Sequence, residues 1–150
     1  MSYPVSAEYI FRPRQSTELL WGTFVLRDSD GKQLCAVVAT SGATGFQNHT
    51  HYRTKGKGLL PPYSEYTIST EGYFLATKGI EGMFFPILPS PVPGYGRSEL
   101  GLHDDANVPG SAGCIVIENR ATFRNTVVPL LSATLKQGIR EIPLKITYQR

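Results

Sequence analysis

Residues 101–117 constrain the fold most strongly, because they read as a strand that ends in a histidine, a polar loop, and a cysteine that opens a second apolar run. Between His103 and Cys114 the sequence contains Pro109, Gly110 and Gly113, which are residue types that a chain reversal requires. This layout predicts that an imidazole and a thiol meet at one edge of a β-sheet.

The two side chains form a candidate nucleophile and base. A cysteine attacks as its thiolate, and the pKa of a free thiol is about 8.5, so at neutral pH it needs a partner that takes the proton. An adjacent imidazole is such a partner. Cys114 is therefore the predicted nucleophile and His103 the predicted base, and Ser111 is expected to bond its own loop or to position the thiol.

Acyl chemistry also requires donors for the developing oxyanion and a group that orients the imidazole. The main-chain amides of Gly113 and Cys114 are the candidate donors, because glycine leaves their approach open. For the orienting group the sequence leaves three choices. They are the main-chain carbonyl of Asp104, the carboxylate of Asp104 and the carboxylate of Asp105.

With Leu102-His103 followed by Ser111-Ala112-Gly113-Cys114-Ile115, the chain resembles the catalytic domain of the L,D-transpeptidase (YkuD-like) family. The resemblance implies a mainly β domain over residues 1–150, a β-sandwich or partly open barrel with one short helix after the catalytic strand. It implies that Cys114 attacks peptidoglycan stem peptides at an L,D bond and passes the acyl group to an amine or to water. It also implies that the carbonyl of Asp104 contacts the imidazole of His103.

The sequence departs from the family pattern at two points. Ala112 stands where most members have a second histidine, and the loop between His103 and Cys114 is shorter than usual. The shorter form resembles small relatives without a leader, such as peptidoglycan-cleaving toxins injected by bacteria and phage-encoded proteins. The departures favour hydrolysis or exchange over cross-linking, and they imply a delivery apparatus or an immunity protein as partners.

Residues outside this segment supply candidate substrate contacts. Tyr95 and Arg97 follow a Pro/Gly-rich loop directly before the histidine strand, so we expect both near the cleft; Arg97 suits a stem-peptide carboxylate, although a solvated arginine is equally compatible. His49 and His51 lie in a long loop, residues 42–62, and two histidines at i and i+2 on an extended segment share one face. Surface or substrate-binding roles are both open for them.

The wider chain predicts many short strands in one domain. It has 150 residues, with 15 glycines and 11 prolines. A helix is predicted after residue 125, with Pro129 in its first turn and Gly138 at its end, and residues 119–124 are a candidate for a separate helical turn. Strands are predicted at residues 8–12, 19–27, 32–39, two within 63–76, 83–88 and 142–148.

Composition argues against several functional classes. The net charge of +3 is mild and its cations are scattered, which does not favour nucleic acid. No stretch approaches the ~20 apolar residues of a membrane helix, and the first residues lack the pattern of a signal peptide. We therefore expect synthesis in the cytoplasm, with action on the cell wall only after delivery. Cys35 and Cys114 are expected to remain unpaired, and the thiol chemistry needs no cofactor or metal.

Two other functions remain open at this stage. The chain could be a non-catalytic binding or structural module that keeps the fold, which Ala112 favours. It could also be a metal hydrolase that uses His49, His51 and His103, although no carboxylate or cysteine spacing supports a metal site.

Overall fold

The computed structural model describes residues 2–78, 80–104 and 111–150, and it is mainly β. The predicted Asp105 orienter and the turn residues Pro109 and Gly110 lie outside these residues. The strands are β1 (Ser6–Phe11), β2 (Gly22–Arg27), β3 (Gln33–Ser41), β4 (Tyr66–Ser69), β5 (Tyr73–Leu75), β6 (Gly82–Leu88), β7 (Gly101–Asp104), β8 (Ile115–Ile117) and β9 (Glu141–Tyr148).

Eight of these strands close into a barrel. The order along the wall is β4-β9-β1-β2-β3-β8-β7-β6, and β4 then pairs with β6, while β5 extends the sheet beyond β6. The prediction of a mainly β fold is thus confirmed, and the barrel is closed where a sandwich or a partly open barrel was expected. Closure follows because β4 bonds on both sides, with Ile68 opposite Ile142 of β9 and opposite Ile87 of β6.

The barrel interior is an apolar core to which alternate residues of each strand contribute, as the period of two in a strand requires. In β1 the buried positions are Ala7, Tyr9 and Phe11. In β7 and β8 the core receives Leu102, Ile115 and Ile117.

A helical region follows β8 and packs on this core. It consists of α1 (Arg120–Thr122), a π-helical stretch (Phe123–Val127) and α2 (Val128–Lys136). Asn119 caps its start by accepting a hydrogen bond from the amide of Thr122, so the helical turn predicted within residues 119–124 is present. Pro129 lies in the first turn of α2 as predicted, but Asn125 does not cap that helix, because the π-helical stretch continues directly into it.

The side chains that anchor this region recur every three or four positions. They are Phe123, Val127, Leu131 and Thr134. Gly138 has a φ of +84° and follows the helix as predicted. In the part of the chain that the structure describes, no helix combines the length and the hydropathy needed to cross a membrane.

Candidate active site

Cys114 and His103 lie on the same face of the barrel wall. Strands β7 and β8 are parallel neighbours in which His103 is paired with Val116, so the register places Cys114 opposite Gly101. Residues two apart on a strand point to one side, and paired residues of neighbouring strands point the same way. The imidazole and the thiol are therefore diagonal neighbours, as the sequence predicted for the two strand ends.

That face carries a small apolar cluster, separate from the barrel core, which we call the outer cluster. Its buried members are Phe84, Cys114 and Val116, and Leu75 and Ile80 pack against it. The ring of Phe84 also stacks on the imidazole of His103, with centroids 6.1 Å apart and planes inclined by 25°.

The main-chain oxygen of Asp104 lies 2.8 Å from Nδ1 of His103. A carbonyl oxygen only accepts hydrogen bonds, so Nδ1 carries the proton and Nε2 holds the lone pair in the neutral ring. This is the contact that the family resemblance implies. It leaves Nε2 as the nitrogen that can take a proton.

The carboxylate of Asp104 has a different role. It is buried, and its Oδ2 lies 3.0 Å from Nε of Arg120 and 3.7 Å from Nε of Arg124, while no described group bonds its Oδ1. Of the two Asp104 groups that the sequence left open, the carbonyl therefore contacts the imidazole and the carboxylate ties the end of β7 to the helical region.

The thiol of Cys114 is protonated at rest. Its side chain is 7% exposed, and burial raises its pKa to about 11. The main-chain amide of Gly101, the charge of Arg97 and the amide of Cys114 itself oppose this rise. A nucleophilic role therefore requires a neighbouring base, because the thiolate is scarce at neutral pH.

Ser111 organises the loop that leads into Cys114. Its Oγ accepts hydrogen bonds from the amides of Gly42 (3.0 Å) and Gly113 (3.1 Å) and donates one to the carbonyl of Cys114 (2.7 Å). The amide of Gly113 is thus already bonded, and the prediction that it holds an oxyanion is not supported. Of the two predicted donors the amide of Cys114 remains, and the amide of Gly101 is a further candidate because it also lowers the pKa of the thiol.

Ser41 and Gly42, at the end of β3, support the same loop. The hydroxyl of Ser41 donates to the carbonyl of Gly113 at 3.0 Å and accepts from the amide of Leu60 at 2.8 Å. The amide of Ser111 donates to the carbonyl of Gly42 at 3.0 Å. The end of β3, Leu60 and residues 111–113 are therefore joined at the loop that leads into Cys114.

Gly113 cannot be another residue without rearrangement. Its φ is +116°, a conformation that side chains disfavour, and an added Cβ would lie 2.2 Å from Nη2 of Arg97. The glycine before the cysteine is explained by the close approach of this guanidinium.

Arg97 is buried and bonds the main chain. Its Nη1 donates to the carbonyls of Tyr52 (2.9 Å) and Leu59 (3.2 Å), and its Nη2 donates to those of Gly58 and Ala112, both at 2.9 Å. Burial lowers its pKa. The predicted role in holding a substrate carboxylate is not supported, because all four bonds fix loops. The sequence prediction assumed that Arg97 is accessible, because it lies in a loop just before β7.

Tyr95 also serves the loop structure. Its ring packs at right angles to Tyr52 with centroids 6.3 Å apart, and the guanidinium of Arg53 lies 4.9 Å from its centroid. Tyr95 does not line the cavity beside Cys114. Its predicted contact with substrate stays a prediction.

His49 and His51 form a 3-10 turn, so the prediction of an extended segment is wrong. Asn48 caps the turn: its side chain accepts from the amide of His49 at 2.9 Å, and its amide donates to Nδ1 of His51 at 3.3 Å. Asn48 and His51 form a capping box, and these bonds stabilise the turn over the extended conformation that was expected for the two histidines.

Within the described residues, no three histidine, cysteine or acidic side chains converge as a metal site would require, so the metal-hydrolase alternative has no support.

An open cavity of about 320 Å³ adjoins the thiol. The sequence did not single out Lys55, Glu99 or Leu100 as cavity residues. The available signal for Glu99 was a charged residue that follows a Pro/Gly-rich loop. The lining residues are Lys55, Gly56, Gly96, Arg97, Ser98, Glu99, Leu100, Ala112 and Cys114.

Both cysteines are free thiols, as predicted. No protein-family model matches this chain, and no curated protein matches it either. The geometry of the described residues and the resemblance carried by residues 102–115 are therefore the basis for a function.

Proposed function

We propose that this protein is a cysteine-dependent acyl-transfer enzyme that acts on peptidoglycan stem peptides, of the L,D-transpeptidase or L,D-carboxypeptidase type. The observation that carries the proposal is the placement of His103 and Cys114 on one face of two adjacent parallel strands. The substrate class rests on the sequence resemblance, and delivery to the cell wall remains part of the proposal.

In the first step His103 removes the proton from the thiol of Cys114 through Nε2. The sulfur attacks the carbonyl carbon of an L-centre residue linked to a D-amino acid, and a sulfur–carbon bond forms. The carbon–nitrogen bond then breaks, and the departing amine takes the proton that the imidazole holds. The acyl group is left as a thioester on Cys114.

In the second step water or an amine attacks the thioester and gives one proton to His103. The sulfur–carbon bond breaks, and the sulfur recovers that proton. The amides of Cys114 and Gly101, which both lower the pKa of the thiol, are the candidate donors that stabilise the negative oxygen in both steps.

The electrostatics around the thiol support an anionic or polar peptide as substrate. Lys55 and Arg97 both line the cavity beside Cys114, and the charge of Arg97 lowers the pKa of the thiol against the effect of burial. A substrate carboxylate that enters this cavity can pair with the exposed Lys55 without disturbing the bonds of Arg97.

The direct test digests defined muropeptides with wild type and with Cys114→Ala and identifies the products by mass spectrometry. We expect products cut at the L,D bond with wild type and none with Cys114→Ala. Cys35→Ala is the matched control, because Cys35 is the other free cysteine and should be dispensable. Full activity of Cys114→Ala would overturn the proposal.

A second candidate is a binding or structural module that keeps the fold without catalysis. The low exposure of Cys114 and its raised pKa favour this alternative, because an inert packing cysteine has both properties. Alkylation by iodoacetamide in a Cys35→Ala background separates the two. Labelling of Cys114 at pH 7 that slows when His103 is replaced by alanine supports the enzyme, and slow labelling that this replacement does not change supports the module.

A further inference from the structure

Arg97 carries a buried positive charge whose described partners are all neutral. The residue is 2% exposed, and its four hydrogen bonds go to main-chain carbonyls. The ion pairs of residues 2–78, 80–104 and 111–150 involve other arginines and do not include Arg97. Burying a cation without a counter-charge is costly, because carbonyl dipoles replace only part of its hydration. The presence of such a charge therefore needs an explanation beyond the packing of loops.

Three groups beside this guanidinium are able to become negative, namely Tyr66, Cys114 and Tyr148. Each of the two tyrosine hydroxyls donates a hydrogen bond to a main-chain carbonyl. Burial raises the pKa of both tyrosines, so both hydroxyls stay neutral at neutral pH. Of the three groups, Cys114 is thus the one that takes a negative charge in the proposed reaction.

The guanidinium lies against the loop that leads into the thiol. Its Nη2 donates to the carbonyl of Ala112 at 2.9 Å, and a Cβ added to Gly113 would lie 2.2 Å from the same nitrogen. Arg97 and Cys114 also line the same open cavity. Burial raises the pKa of the thiol, and the charge of Arg97 is one of the effects that oppose this rise. The four carbonyl bonds therefore hold the cation where it acts on the sulfur.

His103 and Arg97 supply positive charge in different ways. The imidazole becomes positive only after Nε2 takes the thiol proton, and it is neutral again once the departing amine has taken that proton. A guanidinium keeps its proton at neutral pH, even though burial lowers the pKa of Arg97. The charge of Arg97 is thus independent of where the transferred proton resides.

We infer that Arg97 is a positioning residue of the proposed acyl transfer, and that its permanent charge stabilises the sulfur of Cys114 while that sulfur is negative. The sulfur is negative when the imidazole has taken the thiol proton, and again when the sulfur–carbon bond of the thioester breaks. The inference rests on the proposed function, because it assigns a role in that reaction to a residue that does not touch the substrate. It also explains the neutral partners of Arg97, since a permanent anion beside it would cancel its effect on the sulfur.

The pH dependence of thiol alkylation separates the charge of Arg97 from its hydrogen bonds. Iodoacetamide labelling of Cys114 is compared in the parent, Arg97→Lys and Arg97→Gln, all in a Cys35→Ala background, between about pH 7 and pH 11. Both substitutions lose bonds to carbonyls, but only lysine keeps the charge. If Arg97 served the loops alone, the two variants would therefore have the same profile.

Arg97→Gln should shift the alkaline rise in the labelling rate to higher pH, whereas Arg97→Lys should stay close to the parent. On this rise we expect Arg97→Gln to label about tenfold more slowly than the parent at equal pH, which is the lower end of what an adjacent opposite charge produces. Loosening of the fold would expose the thiol and speed its labelling. Slower labelling therefore reports the lost charge and not lost structure.

Arg53→Lys and Arg53→Gln are the matched controls, because Arg53 is an exposed arginine beside Tyr95 that does not line the thiol cavity. Both should label like the parent. A profile of Arg97→Gln that equals that of the parent would overturn the inference, and so would equal slowing in Arg97→Lys and Arg97→Gln.

A measurement that leaves Arg97 in place covers the case in which its variants do not fold. The 13C signal of the Arg97 guanidinium carbon is followed by NMR over the same pH range in the Cys35→Ala protein, with and without Cys114→Ala. We expect a shift that accompanies the loss of the thiol proton and that is absent without the thiol. The same pH dependence in both proteins would count against the inference.

Turnover of muropeptides then distinguishes failure of the inference from failure of the proposed function. Arg97→Gln should lower kcat by about tenfold or more, and Arg97→Lys should lower it less. Full turnover in Cys114→Ala would contradict the proposed function, while the labelling profiles still report the charge of Arg97. An active wild type whose Arg97→Gln variant keeps the labelling profile of the parent would contradict the inference alone.

Discussion

Nε of Arg120 lies 3.0 Å from Oδ2 of Asp104, and this ion pair joins the first helical turn to the end of β7. The same Asp104 presents its main-chain oxygen to His103. A contact between a helix and a strand end therefore fixes the carbonyl that sets the tautomer of the proposed base.

Arg120→Ala should lower both stability and turnover. The substitution leaves Arg124 as the one remaining described ion-pair partner of the buried Asp104 carboxylate. Because Arg120 is itself partly exposed, we expect a loss of about 1–2 kcal/mol in the free energy of unfolding. Urea denaturation measures this loss. Arg120→Lys should recover part of the turnover, and the 15N shifts of the His103 ring should report a changed tautomer in Arg120→Ala. An unaltered ring spectrum would contradict the link.

Replacement of His103 should reduce turnover by about a hundredfold or more, which is the usual contribution of a general base. The pKa of Cys114 is raised to about 11 with His103 in place, so the thiol reacts at neutral pH only if the imidazole takes its proton during the attack. At pH 7 iodoacetamide should therefore label Cys114 more slowly in His103→Ala than in the parent, both in a Cys35→Ala background. A labelling profile identical to that of the parent would exclude His103 as the base.

The raised pKa of Cys114 also predicts how stability depends on pH. Burial raises it to about 11 in the folded protein, whereas an unfolded thiol titrates near about 8.5. Between these values the folded state keeps a proton that the unfolded state has lost, so the free energy of unfolding falls as the pH rises. Melting temperatures of wild type should fall relative to Cys114→Ala between about pH 8 and pH 10. A constant difference would contradict the assignment.

Gly113→Ala should be strongly destabilising. The added Cβ would overlap Nη2 of Arg97 at 2.2 Å, and the φ of +116° disfavours any side chain. Gly31→Ala is a matched control, because Gly31 also has a positive φ (+79°) but no atom lies within 4 Å of its added Cβ. Thermal melting should show a clearly larger loss at Gly113 than at Gly31, and equal losses would argue that only backbone strain matters.

Ser111→Ala should cost about 1–3 kcal/mol of stability, because it leaves the amides of Gly42 and Gly113 without their acceptor. Ser111→Thr keeps the hydroxyl and should retain most of that stability. If Ser111 only shapes the loop, the turnover of Ser111→Thr should recover to the same extent as its stability. A catalytic defect in a fully stable Ser111→Thr would instead indicate a direct role for the hydroxyl.

The strands could be predicted because their patterns are local. The hairpin of β2 and β3 has an apolar run on each side of Asp28-Ser29-Asp30-Gly31, and the alternation in residues 142–148 reproduces most of β9. Closure of the barrel could not be predicted, since it depends on β4 pairing with β6 on one side and with β9, at the far end of the chain, on the other.

The candidate site was predictable in part for the same reason. His103 and Cys114 could be placed together because each stands at the end of an apolar run in one short segment. The roles of Arg97 and Ser111 depend on carbonyls and amides of distant loops, and sequence patterns carry no record of such contacts. Side-chain chemistry alone made Arg97 look like a ligand-binding group.

The alternation of side chains along β7 and β8 has a consequence for how this protein can change. Leu102 and Ile115 fill the interior, while His103 and Cys114 serve the outer face. Substitutions for stability and substitutions for reactivity thus fall on interleaved but separate positions of the same two strands. Evolution can therefore replace the outer-face residues of β7 and β8 one at a time without changing the side chains that form the barrel core.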